Sequence, residues 1–183
     1  MSNYRRTYVP GGTFFYTLVC KDRQPIFNNA MARKHLRNAI VDELKRAPFD
    51  LVAMVLLHDH LHTIWTMPDG DSAYPMRWRK IKESFTRRYL GSGGSEATVS
   101  EAQRLRNQRG VWQLRYWEHT VRDEADFSRC LDYIHWNPVK HGYVNRPCDY
   151  PWSTFRKFVG LGVYDPLWGT GKVFEDVPGA EWD

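Results

Sequence analysis

Apolar positions along the chain recur with two different periods, and the switches between them outline a fold. Residues 13–20 (TFFYTLVC) concentrate aromatic and β-branched side chains and predict a strand. Over 30–46, the apolar residues Met31, Leu36, Ile40, Val41 and Leu44 follow helical spacing. Residues 49–57 form a nearly continuous apolar run, as expected of a central, buried strand. Asp59 suits a turn or bulge, and 60–67 predict a second strand, antiparallel or kinked relative to the first. Pro68-Asp69-Gly70-Asp71 is a turn cluster. Residues 76–90 predict a basic amphipathic helix. Residues 91–110, rich in Gly and Ser and then charged, predict a mobile loop with a helical turn near 102–106. An aromatic strand is expected over 111–121 and a helix over 123–137, with Asp123 and Glu124 at its start. Pro138 should end that helix, because proline disfavours helical geometry in the residue before it. A short helix over 152–159 and an irregular acidic tail complete the pattern.

The order strand, helix, strand, strand, helix, strand, helix predicts an α+β fold of the ferredoxin-like, split βαβ type. Its antiparallel sheet is expected to carry helices on one face, with a C-terminal extension. The reading divides the chain into a catalytic unit over 1–160 and an acidic tail over 161–183. No internal repeat is evident, and a fold so widely shared says little about activity.

With 183 residues, 42% of them hydrophobic, the chain suits one compact domain. No apolar run approaches the roughly 18 residues of a membrane helix. No apolar stretch follows Arg5 and Arg6, so no signal peptide is expected. Cys20, Cys130 and Cys148 form neither a zinc pattern nor a disulfide framework, which points to a reduced, cytoplasmic protein. The net charge of +5 conceals an asymmetry. Residues 160–183 hold five acids and one base, leaving 25 basic and 16 acidic residues in the body. A net +9 favours a polyanionic partner, and aromatics at 15% suit base stacking as well as phosphate contact.

Chemistry gathers at two places. In His58-Asp59-His60-Leu61-His62, alternation lets His60 and His62 share one strand face while Leu61 enters the core. Two imidazoles on a rigid strand make a half-site for a divalent metal. His58 could share that face only by sending Asp59 into the core. A surface histidine cluster is the plain alternative, but it fits poorly at the end of so apolar a strand. The second place is Tyr133, four residues before Asn137 on a predicted helix. A tyrosine hydroxyl, with a reference pKa of about 10, is a weak nucleophile unless a metal draws charge from its phosphate target. An amide such as Asn137 can add a carbonyl oxygen to a metal site. From spacing alone, Tyr133 reads better as packing beside Leu131 and Ile134, and Asn137 as a cap before Pro138.

At these residues the chain resembles the REP-associated tyrosine transposases, bacterial single-strand transposases among the nucleases named for His-hydrophobic-His. The resemblance rests on His60-Leu61-His62 with Thr63-Ile64-Trp65, and on Asp132-Tyr133-Ile134 with Asn137-Pro138-Val139-Lys140. Shorter matches occur in order at Tyr4-Arg5-Arg6, Gly11-Gly12-Thr13, Arg77-Trp78-Arg79-Lys80-Ile81-Lys82, Arg115-Tyr116-Trp117-Glu118-His119 and Trp152-Ser153-Thr154-Phe155. They span the chain to about residue 160. The resemblance implies His60 and His62 as metal ligands, Asn137 as a third ligand, Tyr133 as nucleophile and the ferredoxin-like fold. Two features depart from the family: His58 stands where proline is more usual, and the 91–110 segment is longer than expected.

Arg77, Arg79, Lys80, Lys82, Arg87 and Arg88 crowd one predicted helix. A solvated face is one account; the resemblance favours a DNA backbone groove, with Trp78 or Tyr89 available to stack. Tyr4, Arg5 and Arg6 are expected to reach DNA bases as a basic arm. Glu118 or His119 could support the metal site from the next strand. His35 and His141 read as surface residues. The expected activity is metal-dependent cutting and rejoining of single-stranded or hairpin DNA through a 5′-phosphotyrosine link. The expected ion is Mg²⁺ or Mn²⁺, and a monomer is favoured over a homodimer. The rivals are a non-catalytic nucleic-acid-binding protein and a hydrolase that activates water.

Overall fold

The computed structural model describes residues 8–170. Strand β1 (Thr13–Val19) leads through short 3₁₀ turns to helix α1 (Ala30–Arg46), followed by the hairpin of β2 (Asp50–Leu56) and β3 (His60–Thr66). Helices α2 (Tyr74–Gly91) and α3 (Glu101–Leu105) precede strand β4 (Trp117–Thr120). Helix α4 (Glu124–Lys140) and the short α5 (Phe155–Gly160) follow. The four strands form one antiparallel sheet in the order β2-β3-β1-β4. This is the mixed α+β arrangement that the pattern predicts. Helix α1 starts where expected because the Asn29 side chain accepts hydrogen bonds from the Met31 and Ala32 amides.

The sheet is covered on both faces. From β1, Phe14, Tyr16 and Leu18 point with Leu61 and Trp65 of β3 towards α1 and α2. Trp65 stacks on Trp78 of α2 with ring centres 3.9 Å apart. Phe15, Val55 and Ile64 point the other way, into a second core made with Cys130, Leu131 and Ile134 of α4 and Phe155 of α5. The expectation of helices on one face therefore holds only for α1 and α2. The reason is in the strands: β1 is buried along nearly its whole length on both faces, and so is β3, so a second layer must cover the other side.

Three further expectations are corrected. Helix α4 does not stop at Asn137 but carries Pro138 inside it and ends at Lys140. Proline removes only its own amide donor, and the Asn137 and Pro138 carbonyls still accept from His141 and Tyr143. The strand expected over 111–121 shrinks to β4. The chain touches β1 first at a bridge between Trp112 and Cys20, leaves it with Leu114 exposed, and rejoins at Trp117. The 91–110 segment is pinned rather than loose. Ala97 and Gly110 share a backbone hydrogen bond, Arg109 clamps Glu96, and Ser100 and Gln103 cap α3 reciprocally. Gly110 is required there, since a Cβ would stand 1.8 Å from the Ala97 carbonyl oxygen.

Past residue 160 the chain stays in contact with the body. Tyr164 is buried in the second core and donates to Asp132 at 2.7 Å, with Trp168 packed beside it. The division at 160 therefore does not coincide with an edge of the core. Among the described residues, no helix is long and apolar enough to cross a membrane.

Replacing Trp78 by Ala should remove the Trp65 stack and cost about 3–5 kcal/mol, the usual loss for a large buried aromatic. Urea unfolding measures this, and an unchanged midpoint would contradict the packing described.

Candidate active site

Strand β3 is paired on both edges, so its side chains have no freedom to exchange faces. His60 and His62 point to the α4 side and are fully buried. Each ring is held through Nδ1. His60 Nδ1 donates to the Asp59 carboxylate at 2.6 Å, and Asp59 in turn meets Arg23 at 3.3 Å. Burial opposes the charge on Asp59, but His60 and Arg23 outweigh it and hold the carboxyl below the usual range. His62 Nδ1 lies 2.8 Å from the hydroxyl of Thr17, its register partner on β1. The two rings are 5.0 Å apart, and their Nε2 atoms are buried. Fixing Nδ1 with a carboxylate or hydroxyl orients the ring for ligation through Nε2, as at many metal centres. The residues present thus fit a divalent ion.

Helix α4 brings the second constellation onto this pair. The Tyr133 ring packs 5.3 Å from His62 and 6.0 Å from Phe15. Lys140 donates to the Tyr133 hydroxyl at 3.1 Å, and its ammonium also lies 4.8 Å from the ring centre. Asn137, one turn on, is fully buried. One more turn on, His141 sets its ring 5.1 Å from that of His60. Burial, with His60 close by, pushes His141 down to about 4, so it is neutral at physiological pH. Tyr133, Asn137 and His141 therefore form a single row at i, i+4 and i+8 facing the histidine pair. The reading of His141 as a surface residue is corrected, and Lys140 carried no assigned role. Both were hidden by ending the helix at Pro138; continued helical spacing from Tyr133 would have found them.

The arrangement joins a lysine-contacted tyrosine to two oriented imidazoles. The family model for IS200-like transposases matches residues 13–137. A REP-associated tyrosine transposase of Escherichia coli (strain K12) is 39% identical over 168 residues, covering 92% of this chain and 91% of that protein. The chain belongs to the REP-associated tyrosine transposases. A relative from Haemophilus influenzae is 37% identical over 170 residues, covering 92% and 94% of the two chains. A solved structure of a REP-associated tyrosine transposase bound to a REP hairpin superposes with a TM-score of 0.78 at 36% identity, covering 96% of this chain and 95% of that one. As a member of this family, the chain is a DNA-processing enzyme.

Several residues singled out in this transposase lie away from the histidine pair. Glu118 faces the α1–α2 side and accepts from Tyr74. His58 is outside β3 and stacks on Tyr143. His119 binds Asp126, and with Cys130 the three bring potential ligand atoms within 4.8 Å of one another. That spacing is consistent with a divalent metal, but the chemistry favours a structural ion-pair network. Asp126 accepts from His119, from the Arg122 amide and guanidinium, and from Arg129. Burial opposes its charge, yet these donors hold the carboxyl at about 2. Burial also pushes the Cys130 thiol up to about 12.

The basic helix divides in the same way. Arg77 is buried and committed: it binds Asp71 at 2.6 Å and donates to the Ala47 and Pro48 carbonyls. It is structural and not available to a phosphate. Trp78 and Tyr89 are core residues, which removes them as stacking platforms. Arg79, Lys80 and Arg87 are exposed, Arg79 bridging to Glu83 and Lys80 lying 3.8 Å from the same carboxylate. Arg88 binds Asp42, and Lys82 donates to the Gln113 carbonyl at 2.9 Å. Because α2 covers the other face of the sheet, these side chains do not border Tyr133 directly. Arg5 and Arg6 lie outside the described residues.

Two predictions follow from these assignments. Arg77→Met should lower stability by about 1–3 kcal/mol through the unmet carbonyls and Asp71; a melting curve matching wild type would contradict the structural role. Asp126, depressed in the folded state, stabilises the fold fully above its unfolded value near 4, and that contribution is lost as pH falls towards 2. Circular dichroism should therefore show Asp126→Asn to be less stable at pH 7 and to lose less on acidification. Equal acid sensitivity in the two proteins would count against this network.

Proposed function

We propose that this transposase is a metal-dependent endonuclease and strand transferase that cuts and rejoins single-stranded DNA folded into a hairpin. The observation that carries the proposal is the Tyr133 hydroxyl, bonded to Lys140, on a ring packed against His62. His60, His62 and Asn137 would hold a divalent ion, Mg²⁺ or Mn²⁺, with imidazoles favouring Mn²⁺, and its charge would ease attack on a phosphate.

Tyr133 Oη attacks phosphorus and forms a 5′-phosphotyrosine ester. The bond from phosphorus to the 3′ oxygen breaks, and that oxygen leaves and takes up a proton as a 3′-hydroxyl. Lys140 counters negative charge on the tyrosine oxygen as its proton departs. Later attack by a 3′-hydroxyl reverses the step and reseals or transfers the strand. The covalent link preserves the bond energy, so no nucleotide cofactor is required. The reacting side chains are buried, so neighbouring groups must move aside for a phosphate to enter.

The relative solved with a REP hairpin supports such a hairpin as substrate here. A groove lined by Lys21, Lys82, Arg87 and Arg109 is a suitable backbone track. It begins beside Cys20, whose amide bonds to the Asp59 carbonyl, next to His60 at the start of β3. Arg79, Lys80 and Arg88 would extend the positive surface, and Arg5 and Arg6 are proposed as further DNA contacts, reaching the bases. Affinity should fall with salt as phosphate contacts release counterions.

The test is cleavage of labelled hairpin DNA with Mn²⁺. Tyr133→Phe should bind DNA normally and cut nothing. Lys140→Met should cut about a hundredfold more slowly, the loss typical of removing one charge-stabilising donor. A Tyr133→Phe protein that still cuts would sink the proposal and point instead to activated water.

A further inference from the structure

The groove that carries Lys82 and Arg87 is lined by more than cations: Asn107, Gln108 and Gln113 border it as well. Cations answer phosphates, which are alike at every position of a DNA chain, so they hold the strand without telling one sequence from another. A carboxamide differs, because it sets a donor and an acceptor in one plane. That pair matches the N6 and N7 edge of adenine. The backbone at all three positions is fixed. The Asn107 and Gln108 amides donate to the Arg104 and Gln103 carbonyls, and the Gln113 amide donates to Val19 of β1 while its carbonyl accepts from Lys82. Asn107 holds a left-handed backbone, with φ of 55°, a conformation that asparagine adopts more readily than most residues. Among the described residues, the side-chain amides of these three make no hydrogen bond. Gln103, in the same segment, behaves differently and commits its side chain to capping α3. Gln108 and Gln113 are also half-buried, so water reaches their unpaired amides from one side only.

We propose that Asn107, Gln108 and Gln113 read base edges, adenine above all, on the DNA held in this groove. The inference rests on the reading of the groove as the DNA track. It divides the work between two kinds of side chain. Lys82 and Arg87 supply affinity that any DNA can draw on, and the three amides select the sequence. Because the groove begins beside Cys20, close to the start of β3, the register chosen by the amides also decides which phosphate is brought towards Tyr133. Sequence choice is then made by side chains that take no part in the reaction itself.

Fluorescence anisotropy with three kinds of labelled DNA tests this without reference to cleavage. The probes are a REP hairpin, a hairpin of equal length with its stem pairs shuffled, and REP hairpins carrying 7-deazaadenine at single positions. That analogue pairs normally but lacks N7. The proteins compared are the full chain, Gln108→Met, Gln113→Met, Asn107→Gly and Arg87→Met. Methionine keeps the length of glutamine and removes both hydrogen-bonding atoms, glycine keeps the left-handed backbone, and melting curves check that each variant is folded. Each amide variant should lose about five- to a hundredfold in affinity for the REP hairpin, the range of one two-point base contact, and nothing for the shuffled one. The full chain should show a comparable loss at particular 7-deazaadenines, and the variant lacking the matching amide should lose nothing further there. Arg87→Met should weaken both hairpins alike and flatten the salt dependence. If the amide variants match the full chain on every probe, or weaken both hairpins equally, while Arg87→Met binds less tightly, the amides do not read bases and the track stands. If Arg87→Met also binds unchanged, the DNA lies elsewhere and both readings fall.

Discussion

Strand β3 is hydrogen-bonded along both edges, to β1 in unbroken register from Thr13↔Thr66 to Val19↔His60 and to β2 on the other side. Each residue of β3 is thereby committed to one face. A slip of one position would turn Leu61 and Trp65 towards α4 and drive both histidines into the core against α1 and α2. The Trp65–Trp78 stack and the buried aromatic rings around it oppose that slip. The histidine pair is oriented by the same interactions that stabilise the sheet, with Asp59 and Thr17 setting the rotation of each ring.

The two faces of the sheet divide the work. On one, α1 and α2 close a core dense in aromatic residues, and Arg77 ties the turn after β3 to the end of α1 through Asp71 and two carbonyls. On the other, α4 lies over β3 and carries Tyr133, Asn137 and Lys140, with His141 as its C-terminal cap. Aligning reactive groups along one helix fixes their spacing before any substrate arrives, which reduces the ordering that a reaction must otherwise supply. The same helix is anchored at its start by the Asp123 carboxylate, which accepts from the Asp126 amide, and at its middle by His135, which burial keeps neutral and which bonds Thr154.

Strong periodicity made most of the frame legible in the sequence. Helix α1 has the predicted bounds because Asn29 caps it and its apolar stripe is regular. The His60-Leu61-His62 face could be read from alternation alone. What failed to show was set by tertiary context. Basic residues on α2 look alike in sequence, yet Arg77 is buried on carbonyls while Arg87 is exposed, because only the turn after β3 and the end of α1 distinguish them. Strand β4 is short because the chain leaves β1 after the Trp112–Cys20 bridge and rejoins it only at Trp117. Pro138 looked like a terminus because its local cost is real, but the carbonyls around it find other donors. Stopping there concealed Lys140 and His141, the two residues that most enlarge the site.

The account's central claim is that Tyr133 becomes covalently joined to DNA. The direct measurement is to trap the wild-type protein on a hairpin substrate cut in the presence of Mn²⁺, digest it with protease, and map the nucleotide-bearing peptide by mass spectrometry. The account predicts a single adduct on the peptide containing Tyr133, with the phosphate on its phenolic oxygen. An adduct on Tyr143 or Tyr150, or complete cleavage with no nucleotide-bearing peptide, would contradict it.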